Sequence, residues 1–165
     1  MTMIRALAGD DVPAVTAIYA HYVTGGVATF DETPPGDAEW RAKAVAVAAA
    51  GLPFLVAEAD GVVAGYAYVS QYRPKPAYRH SLEDSIYLAP GHTGRGLGRL
   101  LLGELIRRTS ATEARSLIAV IADGGDPASR RLHAAFGFEE AGRLRNVGFK
   151  HGRWIDTLLM QLDLR

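Results

Sequence analysis

The fold is decided by the stretch Glu83–Arg99, which reads EDSIYLAPGHTGRGLGR. Its apolar first half predicts a short strand that ends at Pro90-Gly91, and a leucine-rich helix follows its second half. Between them, glycines stand at positions 94, 96 and 98. Because glycine has no Cβ, the N–H groups of such a turn can close around an anion at the start of the helix, where the helix dipole favours negative charge. The stretch therefore predicts an anion-binding loop, with a plain helix-capping turn as the alternative.

Two common phosphate-binding motifs do not fit this loop. A Walker A loop requires Lys-Ser/Thr directly after its last glycine, but Leu97-Gly98 follows Gly96. A Rossmann fingerprint requires a glycine at the position of Arg99 and a surrounding βαβ unit. Both motifs are therefore excluded, although Arg95 and Arg99 supply two cations that suit phosphate.

Composition and charge narrow the classes of protein further. The chain has 165 residues, 18 Lys and Arg, 18 Asp and Glu, and no Cys. With a net charge of zero, the chain has no overall positive charge to attract nucleic acid or an anionic membrane. The lack of Cys excludes disulfides, thiolate metal sites and a cysteine acyl intermediate. No apolar stretch approaches the ~18 residues of a membrane span. We therefore expect one domain over residues 1–165, cytoplasmic and without a metal.

The order of the predicted elements is βααβββαβαββ. Three strands in a row do not suit a doubly wound parallel sheet. The order instead predicts an α/β (α+β) fold, in which a mixed, mostly antiparallel sheet of about six to seven strands carries helices on both faces. The predicted elements are a strand at 4–7, helices at 10–25 and 37–50 (the second capped by Asp37), strands at 54–58 and 62–69 joined at Asp60-Gly61, a strand at 86–89, a helix after Gly98, a strand at 116–122, a helix at 126–136, a tight hairpin turn at 147–154 and a strand at 155–164.

The glycine loop resembles the pyrophosphate loop of the GCN5-related N-acetyltransferases (GNAT), Q/R-x-x-G-x-G/A, with Gly96 and Gly98 as its glycines and Thr93 as a departure at its first position. The order of elements is also that of the family. Further segments are similar to one branch, the phosphinothricin and methionine sulfoximine/sulfone acetyltransferases: ATF at 28–30, YRPK at 72–75, AYR at 77–79, AVI at 119–121, LHxxxGF at 132–138 and GFKHGRW at 148–154. The resemblance implies a GNAT fold, a homodimer, and acetyl transfer from acetyl-CoA to the α-amino group of a small amino-acid analogue.

Acetyl transfer to an amine requires a base, because an ammonium group must lose a proton before it attacks a thioester. Glu83 stands where the family places this base, and Asp84 is its nearest rival; a Glu that opens a strand is otherwise simply solvated. Strand alternation puts Glu83 and Ser85 on one face and Asp84 on the other. Where many family members have an acid that protonates the leaving thiolate, this chain has His133, whose alternative role is structural.

The resemblance also implies how acetyl-CoA is bound. The strand before the loop splays from its neighbour, so its unpaired backbone binds the pantetheine arm as an added strand would, and the glycine loop binds the pyrophosphate. Asp126 stands where the family commonly has an Asn that contacts CoA, and helix capping is its alternative role. The acetyl-CoA residues implied in this way are Ile86, Tyr87, Leu88, Gly94, Arg95, Gly96, Leu97, Gly98, Arg99 and Asp126.

The acceptor is expected near residues 71–83, which read QYRPKPAYRHSLE. This segment is either a solvated basic loop or, because tyrosines stand among its cations, a binding site for a small acidic ligand. Phe30 is apolar in a turn-rich stretch, and either fills the core or lines this pocket. The predicted acceptor residues are Phe30, Arg73, Pro74, Lys75, Tyr78, Glu83, Asp84 and Ser85.

Two alternative functions stay open. The same scaffold could acetylate another amine, such as another amino acid, a polyamine, an aminoglycoside or a protein N-terminus. Polycationic acceptors would want an acidic cleft, which the basic segment at 73–79 does not favour. A non-catalytic acyl-CoA-binding sensor would keep the glycine loop but could dispense with Glu83.

Overall fold

One seven-stranded sheet runs through the computed structural model, which describes residues 1–165. Its strands lie in the order β1-β2-β3-β4-β5-β7-β6, and every neighbouring pair is antiparallel except β4 and β5. The strands are β1 (Thr2–Ala6), β2 (Phe54–Ala59), β3 (Val62–Gln71), β4 (Ser81–Leu88), β5 (Ser116–Asp123), β6 (Glu139–Lys150) and β7 (Arg153–Asp163). The prediction of a mixed, mostly antiparallel sheet of six to seven strands is confirmed.

Helices cover both faces of this sheet. They are α1 (Val12–Gly25), α2 (Asp37–Ala49), α3 (Leu97–Ser110) and α4 (Ala128–Ala135). Because side chains alternate along a strand, Val69 of β3 packs in the core beneath α3, whereas Tyr68 packs in the core beneath α1 and α2. Leu132 of α4 joins the α3 side. No helix in the chain combines the length and the apolar character needed to cross a membrane.

Several boundaries differ from the sequence-based prediction, the largest shift being that of β4, which begins at Ser81 and not at residue 86. Asp37 is the first residue of α2 and not its cap: Gly36 occupies that position, and its N–H donates to the Glu39 carboxylate at 3.2 Å. The predicted turn at 147–154 shrinks to His151-Gly152, whose φ angles of 52° and 73° form the tight connection between β6 and β7. A two-residue turn with positive φ matches the twist of the flanking strands, so the strands continue almost to the tip.

The functional part of the fold is set by how β4 leaves β5. These strands pair only from Ser81–Ser116 to Glu83–Ile118. Beyond that point β4 stays paired with β3 as far as Leu88, while β5 stays paired with β7 as far as Asp123. The two strands therefore separate at Glu83, and the following part of β4 has no strand partner on one edge.

Candidate active site

A cavity of about 510 Å³ occupies the gap between β4 and β5. Its walls come from residues 83–88 of β4, residues 119–122 of β5, the end of α1 and one side of α4, and Thr93 and Gly98 lie at its glycine-loop end. The cavity thus runs from the point at which the strands part to the start of α3. A long ligand that extends along β4 and ends at the α3 N-terminus fits this shape.

The glycine loop is built for close backbone approach. Gly94 and Gly96 have φ angles of 71° and 81°, which residues with a Cβ rarely adopt. Gly96 is the cap residue of α3, and no side chain accepts a hydrogen bond from the first N–H groups of that helix. These N–H groups are therefore available to bind an anion. Gly98 serves a different purpose, because a Cβ there would lie 3.3 Å from Leu132 of α4. The buried side chain of Leu97 fixes the first turn of α3 in the core.

The two arginines predicted to bind phosphate have different surroundings. Arg95 contacts His92 Nδ1 at 3.1 Å and lies 3.6 Å from Asp60 on the turn between β2 and β3. Arg99 is exposed on the first turn of α3. Of the two guanidinium groups, that of Arg95 is therefore already engaged by protein, whereas that of Arg99 faces solvent.

The predicted pantetheine residues of β4 contribute their backbone to the cavity. Ile86 and Leu88 pack against the core beneath α3, and Tyr87 packs against the core on the opposite face. The hydroxyl of Tyr22 donates a hydrogen bond to the carbonyl oxygen of Leu88, which fixes the end of the strand to α1. The side chains are thus held in the two cores, and the unpaired backbone edge faces the gap.

Glu83 lies at the closed end of the gap and is only partly exposed. Burial and the neighbouring Asp84 carboxylate raise the pKa of Glu83, and the positive charges of Arg73 and Lys43 only partly oppose this. A carboxylate with a raised pKa that borders a cavity is suited to accept a proton from a substrate.

Asp84 and His133 form a buried pair beside Glu83. Their side chains are 1% and 3% exposed, and Asp84 Oδ2 lies 2.7 Å from His133 Nε2. The other ring nitrogen, Nδ1, lies 2.7 Å from the carbonyl oxygen of Ser129. Burial opposes a positive charge on His133, but Asp84 and the Ser129 carbonyl outweigh it and raise the pKa of the imidazole.

Asp126 lines the cavity just before α4. Its carboxylate accepts a hydrogen bond from the Ala128 N–H at 3.0 Å. The bond satisfies the N–H of the first residue of α4, but the cap position of that helix is Pro127, so Asp126 is not the N-cap that was the alternative to CoA binding.

The predicted acceptor residues are only partly brought together. Glu83, Asp84 and Ser85 line the cavity. The remaining five lie outside its walls, on the segment 26–35 and on the connection from β3 to β4: Phe30, Arg73, Pro74, Lys75 and Tyr78. Within that connection the Arg73 guanidinium stacks on Tyr72, with 4.6 Å from its carbon to the ring centroid.

Residues 26–28 line one end of the cavity, and the contacts that hold the segment at residues 26–31 in place were not evident from the sequence. Val27 packs directly on Gly124: a Cβ added at Gly124 would lie 2.3 Å from a methyl group of Val27. The Thr29 carbonyl accepts a hydrogen bond from the buried Lys150 at 2.8 Å. Phe30 lies over Gly148 of β6. These contacts come from distant parts of the chain, so only the glycines themselves could have signalled them.

Comparisons with known proteins agree with this geometry. The model of the acetyltransferase (GNAT) family matches residues 15–138. The chain is 56% identical over 161 residues to a phosphinothricin N-acetyltransferase of Alcaligenes faecalis, an alignment that covers 98% of this chain and 82% of that protein. It is 40% identical over 162 residues to an L-methionine sulfoximine/L-methionine sulfone acetyltransferase of Pseudomonas paraeruginosa, covering 98% of this chain and 94% of that one.

Comparison of the fold with solved structures points to the same family. The crystal structure of a GNAT superfamily phosphinothricin acetyltransferase from Sinorhizobium meliloti, in complex with acetyl-CoA, superimposes with a TM-score of 0.94 and 45% identity. The superposition covers 98% of this chain and 88% of that one. The likeness therefore includes every element that surrounds the cavity.

Proposed function

This chain belongs to the acetyltransferase (GNAT) family and is an acetyl-CoA-dependent N-acetyltransferase, and we propose that it acetylates the α-amino group of a small amino-acid analogue. The proposed acceptors are phosphinothricin, methionine sulfoximine and methionine sulfone, after which its relatives are named. The observation that carries the proposal is the half-buried Glu83 carboxylate at the closed end of the gap between β4 and β5. A cytosolic location is part of the same proposal.

The gap fits acetyl-CoA, which supplies an acetyl group activated as a thioester. The unpaired edge of β4 at residues 86–88 offers backbone groups to the amides of the pantetheine arm, as in the addition of a strand. The turn at residues 94–99 offers N–H groups and Arg99 to the pyrophosphate. This arrangement directs the thioester toward Glu83.

Glu83 is the general base of the proposed reaction. Its carboxylate takes a proton from the acceptor's ammonium group, directly or through a water, and leaves a neutral amine that can attack. As the new C–N bond forms, N–H groups on the open edge of β4 stabilise the negative charge on the acetyl oxygen. When the C–S bond breaks, the nitrogen loses its second proton, through solvent, to the departing CoA thiolate. The products are the amide, the CoA thiol and the one proton that Glu83 returns to solvent. We assign direct transfer because the chain has no Cys to hold the acetyl group.

The acidic groups of the acceptor are assigned to the basic connection between β3 and β4. Arg73 is close enough to Glu83 to affect its pKa, so an acceptor whose amine lies at Glu83 can place a carboxylate near Arg73. Phe30 and Tyr78 are exposed by 38% and 40%, and they offer apolar surface to the rest of the side chain. A cationic polyamine would meet repulsion in this region.

The function is tested by measuring thiol release from acetyl-CoA with a panel of acceptors: phosphinothricin, methionine sulfoximine, methionine sulfone, methionine, spermidine and an aminoglycoside. We expect turnover with the first three. Turnover with spermidine or the aminoglycoside in preference to these would contradict the assigned acceptor class. Tight acetyl-CoA binding without turnover on any acceptor would favour an acyl-CoA sensor.

Replacing Gly148 by alanine should weaken acceptor binding. The added Cβ would lie 2.3–2.8 Å from ring atoms of Phe30, so the ring must move. We expect the KM for the acceptor to rise several-fold, with the KM for acetyl-CoA unchanged. The matched control is Gly142→Ala on the same strand, where a Cβ meets nothing within 4 Å. Equal acceptor KM values for the two variants would exclude Phe30 from the acceptor pocket.

The proposed assembly is a homodimer formed through the hairpin of β6 and β7. β6 is the edge strand of the sheet, and Phe149 and Trp154 at the hairpin tip are 55% and 63% exposed with ring centroids 4.8 Å apart. Exposed aromatic pairs of this kind are typical of interfaces. Sedimentation should show a dimer that Trp154→Glu dissociates and that Val45→Glu, at an exposed position of α2, leaves intact. If the unaltered protein sediments as a monomer, the proposed dimer through this hairpin is wrong.

A further inference from the structure

The face of β3 and β4 that carries Glu83 also carries three hydroxyl groups. Ser70 of β3 lies opposite Glu83 of β4, and Tyr68 lies opposite Ser85. Because directly paired residues and residues two apart share a face, these four side chains belong to the side of the sheet that α1 and α2 cover. The pKa of Glu83 depends on burial and on nearby charges, with no contribution from a hydrogen bond to its carboxylate. A ligand that reaches Glu83 therefore meets a polar surface on this face.

The ammonium group of Lys43 is held above this face from α2. Its Nζ donates a hydrogen bond to the Tyr68 hydroxyl at 3.2 Å and lies 5.2 Å and 5.7 Å from the ring centroids of Tyr68 and Trp40. The hydrogen bond and the cation–π attraction fix the position of the charge. An ammonium group has three protons to donate, and this bond uses one of them. The Lys43 side chain is exposed and borders, together with Ser70, a second cavity of about 790 Å³, so a ligand can reach the other protons.

Lys43 and Arg73 are the two cations whose charges act on Glu83, where both oppose the effect of burial on its pKa. They belong to different elements, since Lys43 lies on α2 and Arg73 on the connection from β3 to β4. An acceptor whose amine lies at Glu83 can therefore meet two separate positive charges. Phosphinothricin has two anionic groups, an α-carboxylate and a phosphinate at the end of its side chain. A planar guanidinium matches a carboxylate with two parallel hydrogen bonds, whereas a lysine ammonium is a compact point charge that also suits a tetrahedral anion.

We propose that Lys43 is a specificity-determining residue, whose ammonium group binds the anionic phosphinate at the end of the acceptor side chain. The α-carboxylate stays at Arg73, and Lys43 adds a contact from α2 to the second acidic group. Methionine sulfone has the same shape as phosphinothricin but carries a neutral sulfone in place of the phosphinate. Lys43 therefore distinguishes the two acceptors by charge and favours phosphinothricin. The inference rests on the proposed function for the identity of the acceptors.

The experiment compares phosphinothricin with methionine sulfone in Lys43→Met. We expect the ratio of their kcat/KM values to fall about 10-fold, the value of a charge-assisted hydrogen bond, mainly through a higher KM for phosphinothricin. Any effect of the lost charge on Glu83 is common to both acceptors and cancels in this ratio. Lys43→Arg keeps the charge and should retain most of the preference. The matched control is Arg41→Met on the same helix, because Arg41 donates to the Gly9 carbonyl at 3.1 Å instead, and its ratio should equal that of the unaltered enzyme.

Calorimetry of phosphinothricin with the enzyme–CoA complex makes the same comparison without turnover. The unaltered complex should bind phosphinothricin about 10-fold more tightly than the Lys43→Met complex does, with methionine sulfone bound equally by both. An unchanged ratio in Lys43→Met, an equal fall in Arg41→Met, or an unaltered complex that does not bind phosphinothricin would each overturn the inference. Thiol release by the unaltered enzyme tests the proposed function separately, since the binding comparison does not require acetyl transfer.

Discussion

Replacing Glu83 by glutamine is expected to lower kcat by about 100-fold or more while acetyl-CoA binds as before. The amide has the same shape but cannot take the proton from the acceptor's ammonium group. Steady-state thiol release measures kcat, and calorimetry measures acetyl-CoA affinity. Glu113→Gln, at an exposed position away from the cavity, is the matched control. Unchanged turnover in Glu83→Gln would remove Glu83 from the mechanism.

The same variant separates activity from stability. Burial raises the pKa of Glu83, so ionising this carboxyl destabilises the folded protein. The penalty develops as the pH rises through the unfolded-state pKa and is complete above the raised folded-state pKa. Removing the charge at neutral pH removes the penalty, and Tm of Glu83→Gln should be equal to or above that of the unaltered enzyme. The acid limb of the kcat/KM profile should likewise lie above the ordinary range of a glutamate. A limb within that range would contradict the raised pKa.

Replacing Gly96 by valine is expected to lower the affinity for acetyl-CoA about 10-fold or more. A residue with a branched side chain is strained by about 1–2 kcal/mol in the left-handed backbone conformation, so the loop must shift to relieve the strain. Gly96 has a φ of 81° and directly precedes α3. Calorimetry with acetyl-CoA gives the affinity. Kinetics should show the loss mainly as a raised KM for acetyl-CoA.

Gly51→Val is the control for backbone strain, since Gly51 has a φ of 72° at the end of α2, far from the glycine loop. It should lose stability without losing acetyl-CoA affinity. If Gly96→Val binds acetyl-CoA as tightly as Gly51→Val does, the loop is only a helix cap.

The sequence predicted the features that depend on neighbouring residues. The order of strands and helices, the glycine turn before α3 and the opposite faces of Glu83 and Asp84 follow from periodicity and glycine chemistry, which act locally. Errors occurred at boundaries, as at the β6–β7 turn, where strand pairing extends the strands further than the turn residues alone indicate.

The sequence could not predict contacts that depend on the assembled fold. Asp84 and His133 are 49 residues apart, and only the packing of α4 against β5 brings them together. The position of Phe30 over Gly148 depends in the same way on segments from opposite ends of the chain. The acceptor prediction rested on resemblance, and the structure places part of that set in the cavity and part on exposed segments outside it.

The most direct test is a crystal structure of the enzyme with CoA and methionine sulfone or phosphinothricin. We expect the pantetheine arm along the open edge of β4, and the acceptor nitrogen within about 2.6–3.2 Å of the Glu83 carboxylate, directly or through one water. A pantetheine arm elsewhere, or an acceptor nitrogen bonded to a different carboxylate with Glu83 out of reach, would contradict acetyl transfer at the point where β4 leaves β5.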